Sequence, residues 1–149
     1  MKFTVAALTL AGLMAFGASS ARGPLQAQET KSQWDGIYTE EQAKRGEPLY
    51  AQSCAACHGP DLSGGEMAPG LAGGEFSSNW NGLSVGDLYD RMRQSMPQNA
   101  PGSLSRAQNA DILAFMFSKS GIPAGTSELA GDSQVLAGIK FVGQKPGAK

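Results

Sequence analysis

Apolar residues recur at three- and four-residue spacing in three segments of the chain, which is the pattern of an amphipathic helix. The first segment covers residues 39–53, where Thr39 is placed to cap a helix and Gln42 follows three residues later, as in a capping box. Pro48 interrupts this pattern, because a proline inside a helix removes a hydrogen bond and crowds the preceding turn. We therefore expect a kink at Pro48, or a helix that begins later than Thr39.

The second and third segments carry clearer start and stop signals. The second lies between a capping Ser84, with an aspartate three residues later, and Pro97. The third lies between Ser105, whose capping box is completed by Gln108, and Gly121. The sequence therefore predicts two further helices, each following its capping serine.

The rest of the chain has no helical period. Residues 59–82 are rich in Gly, Pro, Ser and Asn, so we predict a long loop there. A loop of this length in a compact domain needs an explanation, and wrapping a bulky ligand would supply one. We interpret residues 28–38 as a polar linker, residues 39–122 as an all-α domain, and residues 123–149 as a C-terminal tail whose structure the sequence leaves open.

Residues 1–27 have the layout of a secretory signal peptide, with Lys2, an apolar run from Phe3 to Phe16, and then small residues. Cleavage is expected after Ala21 or Ala27. The apolar run is shorter than the roughly 20 residues that span a bilayer, so an uncleaved membrane anchor is the less favoured alternative. The mature protein is expected outside the cytoplasm.

Composition and charge exclude some partners and point to a stabilising group. The formal net charge is −1 at pH 7 and no basic run is present, which argues against nucleic-acid binding. Membrane contact is expected only if the signal peptide stays uncleaved. A single core in a domain of about 80 residues rarely supplies more than about 3–5 kcal/mol of stability. We therefore expect a cofactor or a cross-link to stabilise this domain further.

Both cysteines and the only histidine lie within five residues, Cys54, Cys57 and His58 in "CAACH". A zinc site needs three or four protein ligands, which this chain supplies only if carboxylates take part. A thioredoxin-like redox pair begins a helix in a βαβ unit, whereas this pair follows a predicted helix. A disulfide would close too small a loop to stabilise much, and it leaves the histidine without a role. The pattern C-x-x-C-H is that of c-type haem attachment, which uses all three residues.

Because His58 is the only histidine, the sixth haem position must be filled by methionine, lysine or water, or stay open. Met96 is the favoured ligand, since it ends a predicted helix and precedes Pro97. Met67 is the second candidate. Met92 and Met116 are predicted to pack in the core. A His/Met pair favours electron transfer, whereas an open site favours a gas sensor or an enzyme.

The segments "RGEPLYAQSCAACHG", "APGL", "SMPQNAPGSLS" and "NADILAFMF" resemble the small single-haem class I cytochromes c of bacteria over about residues 39–124. The resemblance implies an all-α cytochrome c fold, with three to four helices and long loops wrapped around one covalently attached haem c. Cys54 and Cys57 would form the thioether links, His58 would be the proximal ligand and Met96 the distal one.

The resemblance also implies supporting roles for residues outside the attachment motif. The carbonyl of Pro69 would accept the Nδ1–H of His58, which would fix the imidazole tautomer. Trp80 would donate its indole N–H to a haem propionate or cap the haem pocket. The first helix would cross the last one closely, at Gly46, Tyr50, Leu113 and Phe115.

This family membership would make the protein a periplasmic one-electron carrier and not an enzyme. The expected partners are transient ones, a dehydrogenase as donor and an oxidase or another cytochrome as acceptor. The pattern "MP…PGSLS…ADILAF" is similar to cytochrome domains that accept electrons from periplasmic quinoprotein dehydrogenases. The alternatives are a haem protein with an open sixth site, acting as sensor or enzyme, and a non-haem thiol protein.

Overall fold

The computed structural model describes residues 31–147, which form helices and loops, with isolated bridges and no strand in that range. A 3₁₀ turn at Gln33–Asp35 precedes six helices. Their bounds are α1 Glu40–Ser53, α2 Ala55–His58, α3 Gly73–Trp80, α4 Val85–Ser95, α5 Arg106–Lys119 and α6 Ser133–Ala137. The predicted all-α class is confirmed, although residues 31–147 form six helices and not three to four. The predicted signal peptide, residues 1–27, lies outside the described residues.

The capping signals of the second and third predicted helices are confirmed in α4 and α5. Ser84 Oγ accepts the backbone N–H of Asp87 at 3.0 Å, and the aspartate side chain bonds back to the N–H of Ser84. Ser105 and Gln108 form the same reciprocal pair at the start of α5. Each box satisfies backbone donors that the first turn of a helix leaves without partners.

The first predicted helix begins where its cap indicates and runs through Pro48 as one element. The expectation of a later start is therefore wrong. Both Pro48 and Lys44 are exposed, so water can bond the Lys44 carbonyl that the proline leaves free. The predicted capping box is wrong as well, because the Gln42 side chain bonds both backbone groups of Leu129.

Helix α3 lies inside the segment predicted as a continuous loop. Its sequence contains two glycines and two serines, which are weak helix formers. Phe76 is buried on this helix, and its ring lies 5.9 Å from that of Phe141 in an edge-to-face contact. The burial of Phe76 against a residue far along the chain stabilises a helix that the local sequence does not indicate.

The centre of the fold is the close crossing of α1 and α5, as the resemblance implies. A side-chain carbon added at Gly46 would collide with the carbonyl of Asp111, so only glycine lets the two backbones approach this closely. One turn further, the rings of Tyr50 and Phe115 lie 5.3 Å apart. Leu113 is fully buried on the same helix. This crossing holds the end of α1, from which the CAACH segment continues.

The C-terminal tail and residues 31–38 pack against these helices as part of the same core. In the tail, the buried apolar residues are Leu129, Leu136, Ile139 and Phe141. In the N-terminal segment, Ile37 and Tyr38 are buried, and the Tyr38 hydroxyl donates to the carbonyl of Ile122 at 2.6 Å. No helix among residues 31–147 is long and apolar enough to cross a membrane.

Candidate cofactor site around His58

A single turn of chain brings the two cysteines and the histidine together. Cys54 ends α1, and its carbonyl accepts the backbone N–H groups of Cys57 at 3.1 Å and His58 at 3.0 Å. The Cys54 side chain is half-buried, that of Cys57 is exposed, and His58 is 7% exposed. The two cysteines do not form a disulfide. The turn therefore places two cysteine side chains beside a buried imidazole.

The imidazole of His58 is oriented by one hydrogen bond. Its Nδ1 lies 2.8 Å from the carbonyl oxygen of Pro69. A carbonyl oxygen only accepts, so Nδ1 carries the proton and donates it. The lone pair of a neutral ring is then at Nε2, which is the nitrogen left free to bind a metal. This is the contact that the resemblance implies for Pro69.

The loop that carries Pro69 is fixed by its own backbone. Gly64 donates its N–H to the carbonyl of His58 at 2.9 Å, and Leu71 donates to Leu62 at 2.8 Å. Gly64 has a φ of +79°, and a carbon added there would collide with the backbone at Gly70. Only glycine combines this backbone conformation with this close approach. Sequence reasoning did not single out Gly64, because nothing distinguishes it from its neighbours in a glycine-rich stretch.

Tyr50 links α1 to the same loop. Its hydroxyl donates to the carbonyl of Gly59 at 2.6 Å. Burial raises the pKa of Tyr50 to about 12, and the charge of Asp61 adds a smaller contribution. The phenol therefore stays protonated and keeps donating throughout the neutral range.

The thiol chemistry argues against a reactive redox pair or a protein-only zinc site. Burial, followed by the charge of Cys57, raises the pKa of Cys54 to about 11. A reactive C-x-x-C pair requires a lowered thiol pKa, because the thiolate is the nucleophile. Between residues 31 and 147, no three His, Cys, Asp or Glu side chains converge on a metal position. The donor set instead fits haem c, which takes two thioether links and one imidazole.

The four methionines predicted outside the signal peptide differ in their surroundings. Met116 is 1% exposed and belongs to the core, and Met92 is half-buried against it. Met67 is 83% exposed on the loop that carries Pro69. Met96 is half-buried at the end of α4, where its N–H bonds the carbonyl of Met92 at 2.9 Å. Met116 is thus a core residue, Met67 is exposed, and Met92 and Met96 are both half-buried.

Trp80, at the end of α3, is half-buried, and its ring centroid lies 6.5 Å from that of Phe76. The indole packs along the edge of the core. Its hydrogen bond to a haem propionate stays a prediction.

Comparison with known proteins identifies the family. The family model described as cytochrome c oxidase, cbb3-type, subunit III matches residues 41–116. Cytochrome c-551 of Bacillus subtilis is 34% identical over 101 residues, which cover 67% of this chain and 79% of the relative. Thiosulfate dehydrogenase of Stutzerimonas stutzeri is 36% identical over 81 residues, 50% of this chain but only 26% of that protein.

The crystal structure of the sulfane dehydrogenase SoxCD from Paracoccus pantotrophus superposes with a TM-score of 0.47 at 22% identity, over 84% of this chain and 68% of that one. At this score the likeness is loose. The matched region in the first two comparisons contains the CAACH segment together with the helices around it. The chain therefore belongs to the cytochrome c family of electron-transfer proteins, and it carries haem c covalently attached through Cys54 and Cys57.

Proposed function

We propose that this protein is a periplasmic one-electron carrier whose haem iron is held by His58 on one side and Met96 on the other. The observation that carries the proposal is the hydrogen bond from His58 Nδ1 to the carbonyl of Pro69, which leaves Nε2 as the free metal-binding nitrogen. Haem c supplies reversible one-electron exchange at its iron. The residues of this chain hold the group, exclude water and set its potential.

The same hydrogen bond favours Met96 over Met67 as the second ligand. Nδ1 and Nε2 point to different sides of the imidazole ring, so the loop bonded to Nδ1 would lie on the side away from a metal bound at Nε2. Met67 is two residues from Pro69 on that loop, and its side chain is exposed. To reach the opposite haem face, it would have to pull the loop away from His58. Met96 lies on a different element and has no such conflict.

Whether the protein supplies both ligands of the haem iron determines whether it transfers electrons or binds a substrate at the iron. With both axial positions filled, no coordination site is left for a substrate, and the thioether opposite an imidazole raises the reduction potential. The protein therefore carries electrons and does not catalyse substrate turnover. Its encounters with redox partners are expected to be weak, with interfaces below about 1,200 Å².

The partners follow from the compartment. A signal peptide at residues 1–27 would deliver the chain to the periplasm, where haem is attached. We propose a periplasmic dehydrogenase as the electron donor and an oxidase or another cytochrome as the acceptor. Similarity to a relative named thiosulfate dehydrogenase supports the donor class, and the "MP…PGSLS" pattern favours a quinoprotein member of it.

The visible spectrum of the ferric holoprotein, produced with a periplasmic haem-maturation system, tests the ligand assignment. Sulfur bound to ferric haem gives a weak far-red charge-transfer band. We expect this band in the wild type, its loss in Met96→Ala, and its retention in the matched control Met67→Ala. Loss in the Met67 variant alone would assign the ligand to Met67. A wild type without the band that binds carbon monoxide when reduced would favour the sensor or enzyme alternative.

A further inference from the structure

Residues 139–143 run beside the loop that begins α4 and bond to it like a strand. Val85 donates its N–H to the carbonyl of Ile139 at 2.9 Å, and Gly82 donates to Phe141 at 2.9 Å. Phe141 returns a bond from its own N–H to the carbonyl of Leu83 at 2.8 Å. Three backbone hydrogen bonds thus fasten this segment, which we call the tail strap, to the start of α4.

The opposite edge of the tail strap is fastened to the N-terminal segment. The Gln33 side chain donates to the carbonyl of Val142 at 2.6 Å and accepts the N–H of Val142 at 2.9 Å. Lys140 accepts from the N–H of Gln33 and donates to the carbonyl of Lys31. Gln33 is fully buried, so both of its side-chain bonds replace lost contacts with water. The strap is therefore held along both edges.

Helix α6, which leads into the tail strap, crosses α4 at a glycine. A carbon added at Gly86 would lie 2.6 Å from the carbonyl oxygen of Ser133 and 2.7 Å from the nitrogen of Ala137. Both neighbours are backbone atoms, which cannot move aside without shifting α6. Helix α4 packs more extensively against α6 than against α5. Among the helices, α6 is therefore the main neighbour of α4.

Met96 lies at the other end of this helix. Met96 lies ten positions after Gly86, a distance of about 15 Å along an α-helix at about 1.5 Å per residue. A helix is stiff over three turns, so a shift at its first turn is carried to its last one. His58, by contrast, is held by α1 and by the loop that carries Pro69. The two proposed axial ligands therefore depend on different supports.

From these contacts we infer that α6 and the tail strap position Met96 on the haem iron, an inference that rests on the proposed His58/Met96 ligation. Gly86 and Gln33 are positioning residues in this arrangement. An external ligand reaches the iron only in the fraction of molecules in which Met96 has left it. Its apparent affinity therefore rises in proportion to that fraction. Loosening the tail should raise the affinity for an external ligand while leaving haem attachment and His58 unchanged.

The test is an imidazole titration of the ferric holoprotein with Gly86→Ala against a matched control, Gly138→Ala. Gly138 lies just after α6 with a φ of −74°, and an added carbon would have only an ordinary contact at 3.6 Å. We expect imidazole to bind Gly86→Ala about tenfold more tightly than the wild type, a change of about 1.4 kcal/mol. The affinity of Gly138→Ala should stay within about twofold of the wild type. The intensity of the far-red band and the reduction potential should both be lower in Gly86→Ala than in the wild type.

Two further variants separate positioning from general loss of stability. Gln33→Ala loosens the tail strap without changing a residue of α4, so it should also raise the affinity for imidazole. This variant replaces Gly86→Ala in the test if Gly86→Ala does not fold. Tyr38→Phe removes a buried hydrogen bond to Ile122 away from α4. It should lower the melting temperature and leave the imidazole affinity unchanged.

One result overturns the inference. The wild type shows the far-red band, but Gly86→Ala and Gln33→Ala keep the wild-type imidazole affinity although both melt at a lower temperature. In that case the proposed ligation would stand. A wild type without the band would instead overturn the proposed ligation and the inference that rests on it.

Discussion

The hydroxyl of Tyr50 donates to the carbonyl of Gly59 at 2.6 Å, joining the last turn of α1 to the loop that orients His58. Tyr50 also packs against Phe115 on α5. One side chain therefore connects the crossing of the two long helices to the segment that follows His58. The attachment site is therefore joined directly to the crossing of α1 and α5.

Replacing Tyr50 by phenylalanine should keep the ring packing and lose the hydrogen bond. We expect the free energy of unfolding to fall by about 0.5–1.5 kcal/mol, the usual net worth of one such bond. Urea denaturation of the holoprotein measures this change. An unchanged midpoint would show that the bond to Gly59 adds nothing to stability.

The pKa of Tyr50 also predicts an alkaline effect. Its folded-state pKa is raised to about 12, above the usual value near 10, because the phenol is buried. The stability that comes from keeping it protonated is fully present below about pH 10 and is lost as the pH rises toward 12. The stability of the wild type should decline in this range more steeply than that of Tyr50→Phe. Equal slopes would contradict this assignment of the pKa.

Gly64 should control the potential of the haem through His58. An alanine at this positive-φ position would push the loop away and weaken the bond from His58 to Pro69. A weaker bond makes the imidazole less basic, which stabilises ferric iron less, so the reduction potential of Gly64→Ala should rise.

The matched control for this experiment is the neighbouring Gly65→Ala. An added carbon there would meet nothing within 4 Å, so its potential should equal that of the wild type. Redox titration of both proteins makes the comparison. A lowered potential in Gly64→Ala would count against this account of the Pro69 contact.

The tail should behave as part of the core. Phe141 is 1% exposed and packs between the rings of Phe76 and Phe117. Truncating it to alanine should cost about 3–5 kcal/mol, as for other large buried aromatic side chains. Val135→Ala, at a position that is exposed on α6, should change stability by no more than about 0.5 kcal/mol. Similar melting temperatures for the two variants would show that the tail is not needed for folding.

Features set by contacts between residues close in the sequence could be predicted, whereas features set by contacts between distant residues could not. The caps of α4 and α5 join residues three positions apart, so their signals are local and both helices were predicted with their boundaries. Helix α3 depends on Phe141, which lies 65 residues after Phe76, and no local pattern reports that contact. The Gln42 capping signal failed for the same reason, because Leu129 competes for its side chain.

The attachment cysteines, Cys54 and Cys57, could be identified because they lie with His58 within five residues, in a pattern typical of haem c attachment. The bond from His58 to Pro69 was expected only through family resemblance. The position of a backbone carbonyl cannot be read from composition or from residue spacing. The tail strap had no signal at all. Its bonds to the start of α4 are made by the backbone, so the pattern of side chains does not report them.

The most direct test of the central claim is a redox titration of the wild-type holoprotein followed at the far-red band and in the visible haem bands. A His/Met electron carrier should lose the far-red band on reduction in one reversible step, with a slope of about 59 mV per tenfold change in the ratio of the two forms, as for one electron. The reduced protein should not bind carbon monoxide readily. A ferric protein without the band, whose reduced form takes up carbon monoxide stoichiometrically, would contradict the proposed His58/Met96 ligation.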